Sequence, residues 1–258
     1  MKKKGTRQGI ELLRALVNEG HRIFSADQAR QMARQLSISE AYVVEALHHL
    51  KHRGWIRSIK RGVYAITEES GFSSPPHEYE IAMALVTPSA ISHWTALYHH
   101  HLTQQTPQTI FALTPTGTRV PDTVKKSRYH FIHMKPDHLF GIEEIWIGEG
   151  KVRITDPERT LLDGLRQPQF CGGIQEVLAG FDARWPHLDI QKIIQYALRL
   201  DGATISRLGW VLQQRGCSNA ELSRLRDQRA KGVRRLDASG PDQGPIDREW
   251  QIRENIGV

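Results

Sequence analysis

"GWIRSIKRGVYAI", residues 54–66, reads as two short strands meeting at a tip. Trp55, Ile56 and Ile59 make one apolar run, and Val63, Tyr64 and Ile66 make the other. Gly62 supplies the positive φ that a tight turn requires. The tip nonetheless carries Lys60 and Arg61, with Arg57 just before it, so three cations project toward solvent.

The residues ahead of this hairpin explain the cations. Ile10, Leu13, Leu16 and Val17 recur at helical spacing, with Gly20 placed to end the helix. In "SADQ", Ser25 and Gln28 stand three apart, the spacing of a capping box, and Ala29, Met32, Ala33 and Leu36 continue a short second helix. "SISE" repeats that spacing with Ser37 and Glu40. A third helix follows, striped by Val43, Val44, Leu47 and Leu50, with Gly54 past its end. Helix, helix, turn, helix, hairpin is the order of a winged helix-turn-helix. There the third helix enters the major groove and the hairpin lies along the sugar-phosphate backbone. Arg57, Lys60 and Arg61 are then phosphate contacts, where released counterions favour binding. Stepping 100° per residue from Leu47 places Ala41, Tyr42, Glu45, His49, His52 and Arg53 opposite the stripe. Tyr42 and Glu45 lie near the helix start and are the expected base readers, a carboxylate accepting from cytosine N4. His49, His52 and Arg53 lie nearer its end and are expected at phosphates.

Charge is unevenly spread over the 258 residues. Residues 1–70 hold 13 Lys/Arg against 7 Asp/Glu (+6), residues 71–203 hold 12 against 14 (−2), residues 204–235 hold 8 against 2 (+6), and residues 236–258 hold 2 against 5 (−3). A basic head and a basic late segment point to a polyanionic partner. Arg207, Arg215, Arg224, Arg226 and Arg229 of that late segment form a candidate second basic surface, equally readable as the solvated side of helices whose core side is Leu208, Val211, Leu212, Leu222 and Leu225. No apolar run is long enough to span a membrane, the basic start is no signal peptide, and Cys171 and Cys217 make no disulfide framework, so a reducing cytoplasm is the expected setting.

"EESGFSSPPHE", residues 68–78, reads as a linker. A helix bearing Ile81, Ala82, Leu85 and Val86 follows it, and Pro88 opens a second in "TPSAISHWTALYHHHLTQQTP". "QTIFALTP", "SRYHFIHM", "IEEIWIG" and "KVRIT" read as strands, the last two joined at "GEGK". "TDPERTLLDGL" starts a helix with Asp156 at the N-cap and Pro157 behind it. The chain reads as helical from Gly172-Gly173 to about residue 230, and as a loose Gly/Pro-rich tail beyond. The fold class is α+β: a winged helix-turn-helix over 1–70, a larger mixed α+β domain with a helical C-terminal part over 71–235, and a tail over 236–258.

"TPSAISHWTALYHHHLTQQTP", "FGIEEIWIGEGKVRITDPERTLLDGL", "CGGIQEVL" and "ISRLGWVLQQRG" resemble the second domain of the AbiEi antitoxin family, and "RGVYAI" after a helix-turn-helix resembles the end of its first domain. The resemblance covers most of residues 20–216. It implies a type IV antitoxin of an abortive-infection system and a transcriptional autorepressor. It also implies a neighbouring nucleotidyltransferase toxin opposed by the second domain without a stable complex. Operator DNA is the expected partner, and with one helix-turn-helix per chain an inverted repeat needs two copies.

Enzymatic readings are weaker. The run His99–His101 invites a metal, but adjacent helical residues point apart. Glu149 and Lys151 have the E-x-K spacing of a metal-dependent nuclease, with Asp137 upstream, yet Gly148 and Gly150 make that segment a turn. "DPERT" reads as a helix start rather than as a pair of catalytic acids in Glu158 and Asp163. The expectation is a protein that is no enzyme and uses no metal or cofactor; a nuclease and a plain phage-defence regulator without a toxin are the alternatives.

Overall fold

A computed structural model describes residues 2–117 and 129–256, with side chains from Arg7 onward. The chain divides into two compact units. The first gathers Met1–Pro88 and Ile145–Val152, the second Ser89–Gly117, Tyr129–Glu144 and Arg153–Val258.

The first unit begins with α1 (Lys2–Asn18), β1 (Ile23–Ser25), α2 (Ala26–Gln35), α3 (Glu40–His52), β2 (Ile56–Lys60) and β3 (Val63–Ile66). Ser25 and Gln28 cap α2 reciprocally, as their spacing requires. The second expected box does not form. Ser37 takes a left-handed φ of 55° just after α2, Ser39 is the N-cap of α3 without a side-chain bond, and Glu40 instead pairs with Arg34 at 2.9 Å. Leu12, Leu13, Leu16, Phe24, Met32, Val43, Leu47, Leu50, Ile56 and Ile66 form the buried core. The hairpin is present, turned through Gly62 at φ 71°, with a register shift between Ser58 and Lys60. The sequence reading missed β1, which pairs antiparallel with β3 and makes a three-stranded sheet ordered β1-β3-β2. Its three residues carry no periodicity of their own.

The expected linker is packed. Phe72 meets the Trp55 ring edge-on at 5.9 Å, and His77 and Glu80 form a capping box for α4 (Glu78–Leu85). Arg22 is 6 % exposed and reaches Ser74 at 3.2 Å and Glu80 at 2.7 Å. The first unit therefore runs to Pro88, beyond the boundary expected near residue 70.

The second unit contains β4 (Ala90–Ile91), α5 (His93–His99), β5 (Ile110–Thr114) and β6 (Tyr129–His133). Ala90–Ile91, expected near a helix start, is thus a strand; Ser127 and Arg128 of the expected "SRYHFIHM" strand lie outside the described residues. With β7 (Ile142–Ile147) and β8 (Gly150–Thr155) these strands form one sheet ordered β6-β5-β4-β8-β7, and the division between the units falls inside the β7–β8 hairpin. Five helices follow: α6 (Pro157–Arg166), α7 (Ile174–Arg184), α8 (Ile190–Ala197), α9 (Gly202–Gln214) and α10 (Asn219–Arg226). The Asp156 side chain accepts from the Arg159 backbone at the start of α6, as expected.

The tail is not loose. Arg234–Arg235 (β9), Ile246–Asp247 (β10) and Ile252–Arg253 (β11) form a small sheet ordered β10-β11-β9. Trp250 is fully buried in the α6–α10 core, lies where a Cβ on Gly209 would overlap its ring, and donates through Nε1 to Gln213. Burial of one large aromatic ring outweighs the Gly/Pro-rich composition around it.

Candidate nucleic-acid interface

The face that α3 offers to solvent holds most of the expected residues and extends beyond them: Ala41, Glu45, His49, His52 and Arg53 are exposed, and so are Val44, His48 and Lys51. Its buried residues are Val43, Ala46, Leu47 and Leu50. Leu47 sits at one margin of that stripe, so taking the direction opposite Leu47 rotates the outward face by about 50°. Ala46 is fully buried in a tight crossing, where a Cβ on Gly9 of α1 would stand 3.7 Å from its own Cβ.

Tyr42, half-buried, turns toward α1. The Tyr42 hydroxyl lies where a Cβ on Gly9 would be 3.6 Å away, and its pKa is raised, chiefly by burial and then by the Glu45 carboxylate, against a backbone hydrogen bond from Gly9. Arg53 shares the Tyr42 groove and stacks on the Trp55 ring at 5.4 Å. His49 lines the same groove and lies 3.3 Å from Glu45. Glu45, His49, His52 and Arg53 are all exposed.

The outward residues beside the hairpin were not singled out. Val44 is 64 % exposed, unusual for a valine on a helix that packs on two others. Val44, His48 and Lys51 line one wall of a groove of about 400 Å³, with Ala26 and Arg30 of α2 and Ser58, Gly62 and Tyr64 of the hairpin around it. An apolar residue at an exposed position of the third helix was the available signal. It was instead counted into the apolar stripe.

The hairpin cations separate into two kinds. Arg57 and Arg61 are exposed. Lys60 is half-buried and donates to the Leu85 carbonyl at 3.0 Å, at the C-terminal end of α4. Its ammonium complements the partial negative charge of those last carbonyls.

Most of the expected second basic surface is used internally. Arg207 is 7 % exposed and donates to the Arg235 carbonyl at 3.0 Å; burial lowers its pKa. Arg215 holds Asp182 at 2.7 Å and the Val211 and Leu178 carbonyls. Arg226 pairs with Glu249 at 2.6 Å and lies over Trp250, and Arg229 donates to the Arg226 carbonyl. Of the five, Arg224 is the exposed one. These arginines fasten the tail and helices, so their number in the sequence overstates the free positive charge.

The residues that invited enzymatic readings are also engaged. Glu149 accepts from Ser73 at 2.8 Å and lies 3.8 Å from Arg22. Lys151 lies over the Trp146 ring at 5.1 Å, and Asp137 belongs to the other unit. Gly150 is required by packing rather than by flexibility, since a Cβ there would overlap Glu80 and Arg22. Glu158 is buried under Lys192 at 2.9 Å, and Asp163 under Arg159 at 2.9 Å. His100 contacts the Thr155 carbonyl at 2.7 Å, while His101 leaves the helix with φ 57°. Among the described residues no group of three or more His, Cys, Asp or Glu is placed to hold a metal, and no helix is long and apolar enough to cross a membrane.

Comparison with known proteins bears on the fold and on the N-terminal segment. The crystal structure of the RV2827C protein from Mycobacterium tuberculosis shares the fold with a TM-score of 0.69, covering 96 % of this chain and 90 % of that one at 13 % identity. No curated protein sequence matches the chain. A family model described as "Transcriptional regulator, AbiEi antitoxin" matches residues 11–67, which run from α1 to the end of the hairpin. That model spans the helix-turn-helix and hairpin, so over residues 11–67 this chain is similar to the AbiEi antitoxin family of transcriptional regulators.

Proposed function

We propose that this chain is a DNA-binding autorepressor and the antitoxin of a type IV abortive-infection pair. Its first unit binds the operator, and its second opposes a nucleotidyltransferase toxin without a stable complex. The observation that carries the DNA reading is the exposed strip Ala41, Val44, Glu45, His48, Lys51 and His52 on α3, lying within the family-matched segment and beside Arg57 and Arg61 of the hairpin. In this reading the α3 strip meets base edges, with Val44 suited to a thymine methyl, and Arg57 and Arg61 meet phosphates. Lys60 holds the hairpin to α4 instead. Two copies occupy an inverted repeat.

The antitoxin half rests on the family description and on the sequence resemblance of the second unit. Two experiments test the halves separately. Fluorescence anisotropy of the full chain on the DNA upstream of its own gene is expected to show salt-sensitive, sequence-preferring binding; equal affinity for scrambled DNA would remove the operator reading. Co-expression with a nucleotidyltransferase encoded beside it is expected to restore growth, and continued toxicity with soluble antitoxin present would remove the second half. Glu149→Ala is expected to leave both activities unchanged, and magnesium-dependent DNA cutting lost in that variant would establish the nuclease reading instead.

A further inference from the structure

A helix in the major groove runs between two phosphate strands. One side of α3 shares a groove with the hairpin, which carries Arg57 and Arg61. The other side turns toward α1, where His49 and Arg53 line a groove with Gly9 and Ile10. On that side two exposed arginines lie over aromatic rings: Arg53 over Trp55, 5.4 Å from the ring centre, and Arg14 of α1 over Phe72 at 5.6 Å. The two rings meet edge-on at 5.9 Å. Arginine, ring, ring and arginine thus form one continuous run, drawn from α1, the end of α3 and the segment after the hairpin. Both rings are half-buried and packed on the helix-turn-helix core, so they are fixed. Neither arginine makes a hydrogen bond or an ion pair among the described residues, whereas Arg22, Arg30 and Arg34 of the same unit are each held by a carboxylate. The exposed Glu11, Glu68 and Glu69 are close in sequence and pair with neither. A guanidinium over a ring uses its face there and keeps the N–H fork in its plane for an acceptor. Stacking also orders the side chain before any ligand arrives, which lowers the entropy lost on binding.

We propose that this run is a second phosphate-contact surface of the first unit, serving the strand of operator DNA that the hairpin leaves free. Arg53 and Arg14 contact the phosphates, and Trp55 and Phe72 are positioning residues that hold the two forks ready. Arg53 stood among the residues expected at phosphates; Arg14 and the two rings did not. This surface presupposes operator binding and enlarges the footprint to α1 and to the segment after the hairpin.

The test follows binding of the full chain to the DNA upstream of its own gene by fluorescence anisotropy over a range of salt concentrations. Arg14→Ala and Arg53→Ala should each flatten the slope of log affinity against log salt by about one, and weaken binding about fivefold at physiological salt. Trp55→Leu and Phe72→Leu keep apolar bulk on the core and remove the ring face. Arg53→Ala should cost less than about twofold in the Trp55→Leu background, as should Arg14→Ala in the Phe72→Leu background, while Trp55→Phe restores a ring and with it the full cost of Arg53→Ala. Unchanged slopes in both single arginine variants, with the unsubstituted chain binding normally, would overturn the proposal and leave the arginines as mere cover for the rings. Equal costs with and without the rings would overturn their positioning role. An unsubstituted chain that binds no DNA is a distinct outcome, removing the operator reading and this surface with it. Arg14 and Arg53 are exposed, so their salt slopes decide the matter even where a ring variant fails to fold.

Discussion

Placing a carboxylate at Val44 is the sharpest test of which α3 face reads DNA. The side chain is 64 % exposed, so Val44→Glu should change folding stability by no more than about 0.5 kcal/mol. In the major groove the new charge would stand about 7 Å from a phosphate on each strand. At an effective dielectric of about 20 that repulsion is about 2.4 kcal/mol per phosphate. Screening over about 8 Å at physiological salt leaves about 1 kcal/mol each, or about 2 kcal/mol and a 30-fold loss for the pair. Tyr42→Phe is the control on the other face. It removes the hydroxyl that contacts α1 and should cost about 1 kcal/mol in urea unfolding while leaving operator affinity within about twofold. Anisotropy on the chain's own upstream DNA, run beside urea titrations, reads both quantities. Unchanged affinity in Val44→Glu together with a large loss in Tyr42→Phe would refute the face assigned here and restore the one expected from the sequence.

Further outcomes concern the hairpin, the tail and a buried histidine. Arg57→Ala with Arg61→Ala should flatten the slope of log affinity against log salt by about two, whereas Lys60→Ala, whose ammonium is bound to Leu85, should change it by well under one; equal effects would return Lys60 to the phosphate contacts. Trp250→Ala should cost about 3–5 kcal/mol in denaturant unfolding of the second unit, and a loss below about 1 kcal/mol would mean that the tail is not part of its core. His93 is fully buried between Ser92 and Gln167, and burial is the main cause that lowers its pKa to about 4. The unfolded chain binds the proton first, so stability is complete above about pH 6.5 and falls by about 3 kcal/mol as the pH drops toward 4. His93→Gln should flatten that segment of the stability profile, and an unaltered profile would show that other groups govern acid unfolding.

Local rules made much of this protein legible from sequence. The Ser25–Gln28 box, the Gly62 turn and the Asp156 cap act over a few residues and form as their spacing dictates. The order of the three helices and the hairpin in the first 66 residues needed nothing further, whereas β1 went unread. What the tertiary structure decided were directions and partners. Which side of α3 faces solvent depends on Ala46 meeting Gly9, and alanine and glycine leave almost no mark in an apolar pattern. Whether a cation is free depends on what lies across the fold: Lys60 finds Leu85, Arg207 the Arg235 carbonyl and Arg226 the tail's Glu249. The tail itself, polar and rich in glycine and proline, is ordered by one tryptophan seated on Gly209, forty-one positions earlier in the chain. Spacing along the chain sets backbone hydrogen bonds, whereas burial and charge pairing are settled between residues distant in sequence, and only the folded structure brings those together.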